Sequence, residues 1–139
     1  MQTITTARAE TRSLPIAAPP AAVLAVIGDP RRLPEWAPAF ARAVTPDGDR
    51  WRIDTGAGEV LVDVEVITAA GTVDIVRPGD TSTGARLRAL ASGDGTELLF
   101  TILFPRGVDD AAVAAQMATV EDELETVRAL AEAAVAPAR

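Results

Sequence analysis

The clearest alternation in the chain runs from Val60 to Val66. Val60, Val62, Val64 and Val66 share one face of an extended segment, and Leu61, Asp63 and Glu65 share the other. Neighbouring segments repeat the pattern. Trp51 and Ile53 oppose Arg52 and Asp54, Val73 and Ile75 oppose Asp74, and Leu87 and Ala89 oppose Arg86 and Arg88. Short turn signals separate these runs: Asp47-Gly48-Asp49, Ala57-Gly58, Ala70-Gly71, Pro78-Gly79-Asp80 and Gly93-Asp94-Gly95. The spacing predicts strands near 41–46, 50–55, 58–67, 72–77, 84–91 and 96–104, preceded by a half-exposed strand over Thr3 to Ile16. Strands joined by turns without intervening helices imply an antiparallel sheet with one apolar face and one face of paired charges.

The period changes after Phe104. Val113, Met117, Val120, Leu124, Val127 and Leu130 recur at intervals of three and four, with Ala131 and Ala134 extending the stripe. An amphipathic helix is expected from Val108 to about Val135, with Asp109 and Asp110 at its dipole-positive start. Two short helices are expected earlier. One opens at Pro19-Pro20 and stops near Gly28; the next starts at Asp29-Pro30, with Asp29 as cap, and ends among Pro34 and Pro38. The strand at 96–104 breaks the alternation, being apolar on both faces apart from Glu97 and Thr101. Its outer face is either covered by the chain's own elements, the favoured reading, or meets a partner.

Composition narrows the chemistry. The 139 residues contain no cysteine, histidine or tyrosine, which removes thiolates, the commonest general base, the commonest transition-metal ligand and the phenol that often orients a carbonyl. No cluster suggests a metal or cofactor site, and none is expected. The formal charge of −7 disfavours nucleic acid and anionic membranes. With no long apolar run and no basic leader followed by an apolar stretch, the expectation is one domain over residues 1–139, not inserted in a membrane and located in the cytoplasm.

The order of elements is joined by local phrases: Ile16-Ala17-Ala18-Pro19-Pro20-Ala21-Ala22-Val23, Gly28-Asp29-Pro30-Arg31-Arg32-Leu33-Pro34-Glu35-Trp36, Gly71-Thr72-Val73-Asp74, Gly93-Asp94-Gly95-Thr96-Glu97 and Glu121-Asp122-Glu123-Leu124. In this order they resemble the START-like superfamily, specifically its polyketide cyclase/dehydrase and lipid-transport (SRPBCC) families, over nearly the whole chain. The resemblance implies an α+β helix-grip fold, in which a curved antiparallel sheet of about seven strands wraps a long C-terminal helix and leaves a cavity for apolar or amphipathic ligands. Relatives often carry histidine after the Val73-Asp74 phrase, where this chain has Ile75.

On that fold the expected cavity walls are Trp36, Phe40, Trp51, Val62, Val64, Ile75, Leu87, Phe100 and Ile102, capped by Met117, Val120 and Leu124. The helix is thus expected to offer the ligand only aliphatic and thioether groups. Asp74, Arg88 and Thr101 are the weak candidates for catalysis. Asp63 and Glu65 lie opposite four valines and belong to a solvated face. Three roles stay open: binding or transport of a small hydrophobic molecule, a cyclase or dehydratase acting by positioning its substrate, and a homodimeric interaction module using the outer face of the 96–104 strand.

Overall fold

The computed structural model describes residues 6–136. Seven antiparallel strands follow one another in the sheet in the order β1-β7-β6-β5-β4-β3-β2. They are β1 (Thr6–Ile16), β2 (Ala43–Asp47), β3 (Arg50–Asp54), β4 (Glu59–Ile67), β5 (Thr72–Val76), β6 (Gly84–Ser92) and β7 (Gly95–Pro105). Every expected strand is present, and the predicted boundaries of β2 to β7 lie within two residues of the observed ones. The part of the first strand expected over residues 3–5 lies outside the described residues. From β2 to β7 each strand pairs with its chain neighbour across a turn, and β1 closes against β7.

The first connection holds α1 (Pro20–Ile27), a turn of 3₁₀ helix over Pro30–Arg32, and α2 (Leu33–Trp36). Pro20 occupies the first position of α1, where its missing N–H costs nothing. Asp29 caps the 3₁₀ turn as its sequence position suggests, its carboxylate accepting from the Arg31 N–H at 3.0 Å. The long helix α3 (Asp110–Val135) begins at Asp109, whose side chain accepts from the Ala112 N–H at 2.8 Å. Val108 and Val113 flank that cap, the positions of a hydrophobic staple; Val113 is part of the core cluster and the partly buried Val108 packs against it.

The core fills one side of the grip. Helix α3 packs mainly against α1, β1, α2 and β7. Val113, Met117, Val120, Leu124, Val127 and Ala131 are buried along its central stripe, facing Ile16, Val23, Val26, Ile27, Leu87 and Leu98 of the same cluster. Ala134, placed on the stripe by its spacing, is exposed. Pairing of charges across the outer face follows the alternation: Arg50 meets Asp63 at 3.1 Å, Arg52 meets Asp47, and Arg88 meets Asp74 at 2.7 Å.

The outer face of β7 corrects the favoured expectation. Among the described residues no helix packs over it, and Leu99, Thr101 and Leu103 are half-buried. Instead β1 pairs edge-on, placing Thr11 opposite Thr101 with the two hydroxyls 2.7 Å apart. β7 is therefore an interior strand whose outer face, among the described residues, is shielded by its lateral neighbours β1 and β6.

Candidate functional site

Where α3 stands off from the far strands, a cavity of about 950 Å³ remains. Its walls come from α2 and the segment after it (Leu33, Trp36, Ala37, Phe40), from β4 (Val60, Val62), from β5 and the following loop (Ile75, Val76, Arg77, Asp80, Thr83), from β6 and β7 (Ala85, Phe100, Ile102, Phe104), and from α3 (Gln116, Thr119, Glu123). Buried residues such as Trp36, Val62, Ile75 and Phe100 form its deep part, while exposed Ala39, Arg77, Pro105 and Gln116 mark its mouth. This volume is at the upper end for small-molecule sites, which are mostly apolar with few polar groups.

Six of the expected wall residues line this space: Trp36, Phe40, Val62, Ile75, Phe100 and Ile102. Six do not. Leu87, Met117, Val120 and Leu124 are buried in the packed half of the core, where α3 touches its neighbours directly. Val64 lies further along β4, paired with Ile75 and packed against the core. Trp51 is half-buried on β3, with the Arg31 guanidinium 4.9 Å above its ring.

The three catalytic candidates sit on the wrong side of the sheet. Asp74, Arg88 and Thr101 alternate with the inward-facing Ile75, Leu87 and Phe100, so their side chains project from the outer face. Asp74 and Arg88 pair with each other there, and Thr101 pairs with Thr11.

The helix contributes what the sequence reading missed. Gln116, Thr119 and Glu123 follow one another at three and four residues, so they share a flank of α3 beside the apolar stripe. That flank, not the stripe, faces the cavity. Glu123 is 6% exposed, and no described residue donates a hydrogen bond to it or forms an ion pair with it. Burial pushes its pKa up to about 7, with the negative charge of Asp122 adding to the shift. The helix therefore offers more than aliphatic and thioether groups. A signal was available in the sequence: three polar residues at helical spacing, displaced by one position from the apolar stripe.

The loop at the mouth is built by its own polar groups. Asp80 accepts from the Ser82 N–H at 2.9 Å, from the Ser82 hydroxyl at 2.6 Å and from the Thr83 hydroxyl at 3.0 Å. These bonds, the Ser82 hydroxyl first, hold its pKa below the usual value. Arg86, on the outer face of β6, donates to the Thr81 and Thr83 carbonyls at 2.8 and 3.3 Å and so ties the loop to the strand. Trp36 closes the deep end. It is 1% exposed, its Nε1 has no hydrogen-bond acceptor among the described residues, and its ring meets Phe100 edge-on.

A seven-stranded grip around a C-terminal helix, with an apolar cavity between them, is the architecture of the START-like helix-grip proteins. Residues 8–132 match the model of the family described as polyketide cyclase / dehydrase and lipid transport, and the chain belongs to that family. No curated protein matches the chain by sequence. Among solved structures it is similar to the Zhui aromatase/cyclase of a Streptomyces species, with a TM-score of 0.69 and 17% identity over 93% of this chain and 96% of that one. It is also similar to Ara h 8.0201, with a TM-score of 0.64 and 14% identity over 91% and 98% of the two chains. The di-domain ARO/CYC protein BexL gives a TM-score of 0.69 at 16% identity, over 94% of this chain and 48% of that one. At these identities the likeness is one of fold. Among the described residues no helix is long and apolar enough to cross a membrane.

Proposed function

We propose that this protein binds a small hydrophobic or aromatic molecule in the cavity between the sheet and α3. The observation that carries the reading is the cavity itself: about 950 Å³, walled by Trp36, Phe40, Val62, Ile75, Phe100 and Ile102. Such a wall binds through buried area, at about 25 cal/mol per Å² of apolar surface, so shape and size dominate affinity. Native mass spectrometry of the purified protein, followed by titration with fatty acids and polycyclic aromatics, tests it. Binding tighter than about millimolar, or about 4 kcal/mol, supports the reading. Failure of every apolar probe to reach that affinity rejects it.

A second reading, an enzyme of the cyclase or dehydratase type, is supported by the likeness to two aromatase/cyclase structures. Such a protein accelerates reaction chiefly by folding a reactive chain into a productive conformer. Asp74, Arg88 and Thr101 have no part in this reading, because they lie across the sheet from the cavity. Incubation with a poly-β-ketone thioester, followed by product analysis, separates turnover from binding alone.

A further inference from the structure

A buried carboxyl group in a finished protein interior is normally hydrogen-bonded, because leaving it unpaired forfeits its hydration without replacement. Glu123 is buried along the cavity wall with no hydrogen-bond partner among the described residues, and its carboxyl opens onto the cavity rather than being sealed in the packed core as Trp36 Nε1 is. Its neighbours on the same flank do not share its position. The Thr119 hydroxyl already donates to the Ala115 carbonyl at 3.3 Å, and Gln116 is exposed at the mouth. Of the other charged residues lining the cavity, Asp80 is occupied by Ser82 and Thr83, and Arg77 is exposed. Glu123 alone on this flank combines burial with hydrogen-bonding capacity that the protein leaves unused.

We propose that the Glu123 carboxyl selects the ligand, donating a hydrogen bond to a carbonyl oxygen on an otherwise apolar, uncharged molecule. The proposal rests on the binding reading above and names the ligand class of that same cavity. An uncharged carbonyl fits the surroundings, since Trp36, Val62, Ile75 and Phe100 give a ligand cation no hydration. The charged groups around Glu123 leave it a donor. On α3, Asp122 is adjacent and opposes ionisation, Glu125 pairs with Arg128, and Glu121 pairs with Arg12 of β1. On β1, Glu10 is bonded to Arg8. Helix α1 carries no charge, and the single acid of α2, Glu35, is held by Arg32 at 2.9 Å. From β7, Glu97 lies toward the opposite end of the strand from Ile102 and Phe104. Among the described residues lining the cavity Arg77, exposed at its mouth, is the one cation, and the Glu123 shift owes nothing to it.

The decisive experiment uses two probes of one shape, fluorene and fluorenone, which differ by the carbonyl. Dissociation constants are measured by calorimetry for the full chain, Glu123→Gln and Glu123→Leu, at about pH 5.5 and about pH 8.5, on either side of neutrality. The wild type is expected to bind fluorenone about tenfold tighter than fluorene at the lower pH and to lose most of that preference at the higher one. Glu123→Gln, which keeps an N–H donor, retains a preference that no longer varies with pH. Glu123→Leu binds the two probes alike, and its retained affinity for fluorene shows that it is folded.

Equal binding of the two probes to the wild type at the lower pH overturns the proposal while leaving the cavity reading intact. A preference that survives in Glu123→Leu overturns it as well. Tighter binding of a primary alkylamine built on the same ring system than of fluorenone, lost in Glu123→Leu, overturns the neutral-carbonyl assignment in favour of a cation. Failure of the wild type to bind fluorenone while another apolar probe binds the cavity overturns the proposal alone; failure of every apolar probe rejects the cavity reading, and the proposal with it.

Discussion

The indole of Trp36 meets the ring of Phe100 edge to face, with centroids 6.1 Å apart and planes at 69°. The contact joins the short helix α2 to the interior strand β7 and so fixes the deep end of the cavity. Both rings are almost fully buried, so each carries a large apolar area. Trp36→Ala is expected to cost about 3–5 kcal/mol in urea denaturation. A double-mutant cycle with Trp36→Leu and Phe100→Leu is expected to return a coupling of about 0.5–1.5 kcal/mol. Additive losses would show that the two rings act independently.

The ion pair between Arg88 and Asp74 predicts a different pattern. Because it lies on the outer face and both side chains remain partly exposed, Arg88→Ala is expected to cost no more than about 1 kcal/mol. Affinity for any cavity ligand is expected to be unchanged. Arg86 differs from its neighbour, since it is more deeply buried and holds two loop carbonyls at the cavity mouth. Arg86→Ala is expected to cost about 1–2 kcal/mol and to speed ligand release, measured by stopped-flow fluorescence. Equal effects of the two substitutions would remove the loop-tethering role.

These positions show which information the sequence carried openly. Alternation at period two identified the strands, because it depends only on which side of the sheet meets the core. The α3 stripe was equally plain for the same reason. The cavity was harder, because an apolar residue facing another side chain and one facing empty space obey the same pattern. Met117 and Val62 are both buried and apolar, yet only Val62 borders the cavity. What separates them is how far α3 stands from each strand, a property of the whole grip. Glu123 was hidden for another reason. It sits within a run of acids, Glu121 to Glu125, and only its placement one turn beyond Thr119 and two beyond Gln116 sets it apart from the solvent-facing members of that run.

Gly84 opens β6 at the cavity wall with φ +102°, and a Cβ built there would lie 2.7 Å from the Ile75 carbonyl oxygen. Both the conformation and the close approach of two strands require the absence of a side chain. Gly84→Ala is expected to destabilise the protein by about 1–3 kcal/mol, read from thermal melts. Gly79, in the same region, has φ +75° but open space around its Cβ position, so Gly79→Ala is expected to cost less. A larger loss at Gly79 would show that the backbone approach at Gly84 carries little weight.

Glu123 makes stability depend on pH in a direction opposite to the other shifted carboxyls. Its folded-state pKa is raised from 4.5 to about 7, so between these values the folded chain holds a proton that the unfolded chain releases. Stability therefore falls as pH rises through that window, by about 3 kcal/mol if the shift is expressed in full. Glu10, Glu35 and Asp80 are shifted downward by their hydrogen bonds to Arg8, Arg32 and Ser82. Whatever stability they contribute is present above their unfolded values and is lost on acidification, outside the Glu123 window. Without ligand, the melting temperature is expected to drop by roughly 10 °C between about pH 5 and about pH 8. Glu123→Gln removes the titrating proton and is expected to flatten most of that drop. A wild-type profile that is flat across the window, or a drop that persists unchanged in Glu123→Gln, would place the carboxyl in contact with water rather than in the apolar wall.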